Sequence, residues 1–145
     1  MSHLILTYVP ENEFDGELRV SLESAGYSGQ GAAWFSTEQL GAFCTALSEF
    51  PLSANTPPSL NGGYWGHDGK VLQTHVGIAI TPYDVRGSLV VSVELSAPIW
   101  EFEGHDLHRS VKSHFRTDYP SLDRFRVSLL GLLASETDAA ILHGE

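Results

Sequence analysis

"KVLQTHVGIAITPYDVRGSLVVSVELSA" runs from Lys70 to Ala97, and its alternation decides the fold. Leu72, Thr74, Val76, Ile78 and Ile80 recur at every second position, as do Leu89, Val91, Val93 and Leu95. A period of two places each set on one face of a strand. Pro82-Tyr83-Asp84-Val85-Arg86-Gly87 supplies the turn between them, and Pro98 ends the second run. The stretch therefore predicts a β-hairpin. Long alternating strands joined by a tight turn favour antiparallel pairing.

Upstream, "GGYWGHDGKV" (Gly62–Val71) ends in Gly-Lys and invites a phosphate-loop reading. A Walker-type loop needs four residues between its glycines, and then Lys followed by Ser or Thr. Here five residues separate Gly63 from Gly69, and Val71 stands where the hydroxyl must be. The residues after Lys70 alternate as a strand, so no helix N-terminus faces an anion. Asp68-Gly69 instead predicts a two-residue hairpin turn. Ser53 to Gly63, with Pro57-Pro58, reads as a long loop, which leaves Tyr64 and Trp65 in a loop-like context.

Further strands are expected around Leu4, Leu6 and Tyr8, over Glu17 to Ser24, over Gly26 to Phe35, and over Leu107 to Thr117. Ser36-Thr37-Glu38-Gln39 opens a first helix with a capping box. Leu40, Phe43, Cys44 and Leu47 then form one apolar stripe. Phe50 extends it and Pro51 stops it. Pro120 sits in the first turn of a second helix, where its missing N–H costs nothing. That helix carries Leu122, Phe125, Leu129 and Leu132/Leu133 on its stripe, and Ala139 to Leu142 forms a closing strand or a helical tail. The expected fold is α+β: a mainly antiparallel sheet with both amphipathic helices on one face, in a single domain over residues 1–145. The halves echo each other, Leu18 to Glu23 matching Leu89 to Glu94, and Leu40, Phe43 and Leu47 matching Leu122, Phe125 and Leu129. This is the pattern of a weak internal duplication.

Charge is the strongest compositional signal. Eighteen acids against eight bases give −10, a field that repels nucleic acid and acidic membranes. Residues 1–60 hold seven acids and one Arg, whereas Arg109, Lys112, Arg116, Arg124 and Arg126 gather near the end. No apolar run approaches the ~18 residues of a membrane span. The start lacks a basic leader, and the one cysteine suits a reducing cytoplasm. The expected location is cytoplasmic.

Two stretches carry a family resemblance. "HFRTDYPSLDRFRVSLLGLL" (His114–Leu133) and "WFSTEQLGAFCTAL" (Trp34–Leu47) resemble small bacterial immunity proteins of the WapI type, which are paired with toxins. The shared residues are caps and core positions, so no functional residue is carried over. The resemblance implies a toxin-neutralising function exerted by occlusion.

Motifs of chemistry are sparse. His105 and His108 lie in the dense acidic stretch Glu101 to His108, but Gly104 and Pro98 favour a loop, and no HExxH or paired His/Cys spacing occurs. His108 and His114 stand roughly 20 Å apart if they share a strand, too far for one ion. Cys44 lies on the apolar stripe and reads as a small hydrophobe. No Gly-x-Ser-x-Gly elbow is present. Neither a metal, a cofactor nor a catalytic set is expected.

The expected function is non-enzymatic binding of a protein partner with a basic surface, with no nucleic acid or membrane involved. The candidate surface residues are Glu11, Glu13, Asp15, Glu101, Glu103 and Asp106, with Tyr64 and Trp65 as aromatic anchors. An unpaired edge strand would also permit a homodimer. The alternative is an enzyme or small-ligand protein whose site is scattered through the fold.

Overall fold

The computed structural model describes residues 1–98 and 108–145. They form β1 (Ser2–Pro10), β2 (Asp15–Ser24), β3 (Tyr27–Ser36), α1 (Thr37–Leu47), β4 (Ser59–Trp65), β5 (Val71–Pro82), β6 (Ser88–Ser96), β7 (Ser110–Asp118), α2 (Tyr119–Leu133) and β8 (Ala140–Gly144). Every strand pairing among them is antiparallel. The class is α+β, as expected. The strands divide, however, between two four-stranded sheets, β3-β2-β1-β8 and β4-β5-β6-β7. Helices of 11 and 15 residues cannot cover the apolar faces of eight strands. The two sheets and both helices instead pool their apolar faces in one continuous buried cluster.

The halves share one element order, three strands, a helix and a strand. β1, β2 and β3 form a meander, and so do β5, β6 and β7. The fourth strand of each half joins the other half's sheet, since β4 pairs with β5 and β8 pairs with β1. The registers correspond residue by residue. Leu4 lies between Leu22 and Leu142, and Ile78 lies between Val93 and Leu60. This register places Leu18 on Leu89, the same match that the sequences suggest.

Both helices begin as their sequences dictate. The Ser36 hydroxyl accepts from the Gln39 N–H, and the Gln39 side chain accepts from the Ser36 N–H, completing the capping box. Asp118 caps α2 by accepting from the Ser121 N–H at 2.8 Å, with Pro120 in the first turn. Leu40, Phe43, Cys44 and Leu47 are buried, as are Leu122, Phe125, Leu129 and Leu132. Phe50 does not extend the stripe. It lies beyond α1, 78% exposed, with its ring edge-on to Tyr119.

Three local expectations change. Tyr64 and Trp65 belong to β4 and not to a loop, because pairing with β5 begins at Ser59. The β4–β5 turn is longer than two residues: the Gly66 N–H donates to the Lys70 carbonyl, and only Gly69 has positive φ. The alternation of β5 also breaks. Register shifts between Gly62 and Gly63, and again between Tyr64 and Trp65, leave His75 and Leu72 without partners in the β4 ladder. Such a bulge moves the residues beyond it to the opposite face. His75 and Val76 are therefore both buried, while Leu72 is 76% exposed. A true two-residue turn occurs elsewhere, at Ala25-Gly26, with φ of 51° and 90°.

Phe125 has no exposed surface. Phe125→Ala should cost about 3–5 kcal/mol. Chemical denaturation of the variant against the parent measures this, and a loss below about 1 kcal/mol would contradict the helix-on-sheet core.

Candidate functional site

The β1–β2 turn carries the first acidic run. Asn12 organises it, its side-chain oxygen accepting from the Phe14 and Asp15 N–H groups at 2.8 and 2.9 Å. The Glu11 and Asn12 N–H groups both donate to the Asp15 carbonyl. The turn is anchored to the helix layer, because the Thr37 N–H donates to the Phe14 carbonyl at 2.7 Å. Glu11, Glu13 and Asp15 are all exposed. Between them Phe14 presents its ring to solvent, 67% exposed.

Beside this turn lies the α2–β8 connection. Its backbone closes α2 in a Schellman arrangement: the Ser135 N–H donates to the Leu132 carbonyl, and the Glu136 N–H donates to the Gly131 carbonyl. Glycine is the usual residue at the left-handed position of this motif, yet Ser135 occupies it with φ 59°. The bend projects Glu136 and Asp138 into solvent. A depression of about 330 Å³ separates the two segments, with Asn12 and Glu13 on one side and Thr137 and Asp138 on the other. Tyr8, Leu132 and Leu133 also line it, and among the described residues no lysine or arginine does. Burial, and then the Asp15 charge, pushes the Tyr8 phenol above its ordinary value, so it stays protonated. It donates to the Phe35 carbonyl at 3.3 Å.

Tyr64 and Trp65 are not part of this edge. Trp65 is 41% exposed at the end of β4. Tyr64 sets its ring edge-on to His75, with centroids 4.7 Å apart. The bulge buries His75 to 5% exposure, and His75 Nε2 lies 2.7 Å from Gln73 Oε1. Burial, and then repulsion from His108, pushes the His75 pKa below its ordinary value. The histidine is therefore neutral. Glu101, Glu103 and Asp106 lie outside the described residues, as do Trp100 and His105.

Sequence reasoning missed Phe14, Glu136, Asp138 and His75. The first three are plain in the sequence as residues, but their proximity is not, since more than 120 positions separate Glu13 from Asp138. His75 has no sequence signal, because nothing in its alternating run announces a bulge.

Among the described residues no group of three or more His, Cys, Asp or Glu side chains is placed to hold a metal ion. Cys44 is buried, and burial pushes its thiol up despite the opposing charge of Arg126, so it is a poor nucleophile. No helix of the described residues is long and apolar enough to cross a membrane. Comparison with family models, with curated proteins and with solved structures finds no match for this chain.

The depressed His75 pKa has a consequence for stability. Below the ordinary value of 6.5 the unfolded chain binds a proton at this position that the folded chain resists. Stability from this group is complete above that pH and falls as pH drops toward the folded value. Denaturation midpoints of parent and His75→Gln proteins between pH 7.5 and about 5 should therefore converge as pH falls. A constant difference across the range would contradict this.

Proposed function

We propose that the chain is a non-enzymatic protein-binding module whose acidic edge occludes a basic partner, in the manner of a toxin-neutralising immunity protein. The observation that carries this reading is the depression between the β1–β2 turn and the α2–β8 connection. Glu13 and Asp138 face it from segments remote in sequence, and among the described residues no lysine or arginine lines it. Exposed like charges gathered on one edge repel each other, so the fold draws no stability from their proximity. A basic partner turns that repulsion into attraction and is steered to the edge by the −10 field.

Phe14 adds an apolar anchor. An aromatic ring on a hydrogen-bonded turn loses little conformational entropy on docking, and such rings dominate binding hot spots. The acids would set association rate and partner choice, and Phe14 would slow dissociation. The resemblance of His114–Leu133 and Trp34–Leu47 to WapI-type proteins supports the immunity class.

The test is binding to the product of the neighbouring gene at low and high salt. Association should slow as salt rises. Reversing Glu11, Glu13, Asp15 and Asp138 to Lys should slow it by about tenfold or more at low salt. The melting temperature should hardly change, since exposed substitutions shift stability within about 0.5 kcal/mol. Phe14→Ala should raise the dissociation rate about tenfold. Binding that ignores both salt and charge reversal would sink the electrostatic mechanism.

A further inference from the structure

We infer that the outer face of the first sheet carries a second site, a recess over Ala32 that takes a small, flat aromatic carboxylate. It is independent of the acidic edge and of the partner proposed there. Trp34, Ala32 and Gln30 alternate along β3 and so share the outward face. Trp34 and Gln30 stand ~13 Å apart along the strand, with only a methyl group between them. Arg19 lies directly opposite Ala32 on β2, and Glu17 lies opposite Trp34. The second wall is the end of the other sheet, where Tyr64 and His75 stand. The cavity between the walls holds about 740 Å³, within the range of roughly 300–1,000 Å³ typical of small-molecule sites.

Gly31 brings the walls together. A side chain there would meet the His75 carbonyl at 2.6 Å, whereas one at Gly63 would meet the Gln73 carbonyl within the second sheet, where β4 and β5 are bulged together. Both walls are backbone-deep at the junction, and the bulge of β5 aims His75 into it.

The other half of the molecule serves as an internal control. In the register that superposes Leu4 on Ile78, Arg19 corresponds to Val90, Glu17 to Ser88 and Ile5 to Ala79. The β1–β8 pairing ends at Ser2↔Gly144, the counterpart of Val76↔Gly62, so the bulge beyond that pair has no equivalent in the first sheet. The second sheet is thus built without the Arg-Glu pair. Folding alone does not demand that pair.

The ligand chemistry is set by the groups present. Trp34 is 47% exposed and offers an indole face for a flat ring. Arg19 is the one cation lining the cavity among the described residues. It meets Glu17 through Nε at 2.6 Å, which leaves two terminal nitrogens for a bidentate carboxylate. The guanidinium is thereby oriented before the ligand arrives. Glu17, the one carboxylate lining the recess among the described residues, is matched by Arg19, and exposed charges beyond about 10 Å are screened. Gln30 can donate a further hydrogen bond from its amide.

The experiment uses the full chain with naphthoate as probe, monitored through the backbone and side-chain N–H resonances. Saturable shifts should appear at the Trp34 indole, the Arg19 Nε–H and the Ala32 amide. Arg19→Gln should weaken naphthoate about tenfold, as expected for a lost charge-assisted bond. The neutral analogue naphthylmethanol should bind parent and Arg19→Gln equally. Ala32→Leu should fill the recess and abolish both. If that variant loses its dispersed spectrum, Trp34→Ala supplies the same comparison with a side chain removed instead of added. Absence of saturable shifts at millimolar naphthoate would overturn the inference. So would shifts centred on other residues, or an affinity unchanged in the folded recess variants. None of these outcomes bears on binding at the acidic edge.

Discussion

The pairing of β8 with β1 is the constraint on which the rest of the structure depends. Five residue pairs, Ser2↔Gly144 through Leu6↔Ala140, join the first strand to the last. The opposite exchange, β4 onto β5, is made by a hairpin. Each half thereby supplies the fourth strand of the other half's sheet. Neither half can bury its helix stripe or complete its sheet alone, since the buried cluster draws on both sheets and both helices. Where the two sheets meet at the β7 and β8 ends, the Thr117 hydroxyl donates to the His143 carbonyl at 2.7 Å, and the Glu145 N–H donates to the Arg116 carbonyl. A side chain at Gly144 would collide with the Phe115 ring, so glycine is required for this approach.

β3 differs from its counterpart β7 at the positions nearest the sheet junction. In the common register Gly31 stands where β7 carries Phe115, and Gly29 where it carries Ser113. Glycine is a poor strand former, because it loses most backbone entropy and packs no side chain. Its value here is close approach. Gly31 lets β3 run against the His75 carbonyl and Leu95, and Gly29 lets it meet Val111. The low strand propensity of "YSGQG" (Tyr27–Gly31) and the junction of the two sheets have one cause.

The acidic edge depends on the same exchange. β8 reaches β1 only through the α2–β8 connection, and that connection lies beside the turn at the far end of β1. A left-handed Ser135 bends the chain there at a cost of about 1–2 kcal/mol relative to an unstrained backbone. The bend is what places Asp138 across from Glu13. The basic residues fall elsewhere: Lys112 and Arg116 project into solvent from the edge strand β7. Arg116 also lies over the Tyr83 ring at 4.8 Å.

Local physics made much of this legible in the sequence. The capping box at Ser36, the proline in the first turn of α2, both helix stripes and the alternation of β2 and β6 arise from interactions within a few residues of each other. Even the match between halves was visible, because equivalent core positions need similar side chains. The exposure of Glu11, Glu13 and Asp15 likewise reflects a polar turn between two strands. What only the tertiary structure decided are the relations between distant segments. The division into two sheets, the crossing of β4 and β8, and the meeting of Glu13 with Asp138 have no local signature. The bulge at His75 belongs with them: its run alternates as any strand does, and only the register of β4 against β5 determines which side chains turn inward. A strand's period sets which residues share a face, but its partners decide which face is buried.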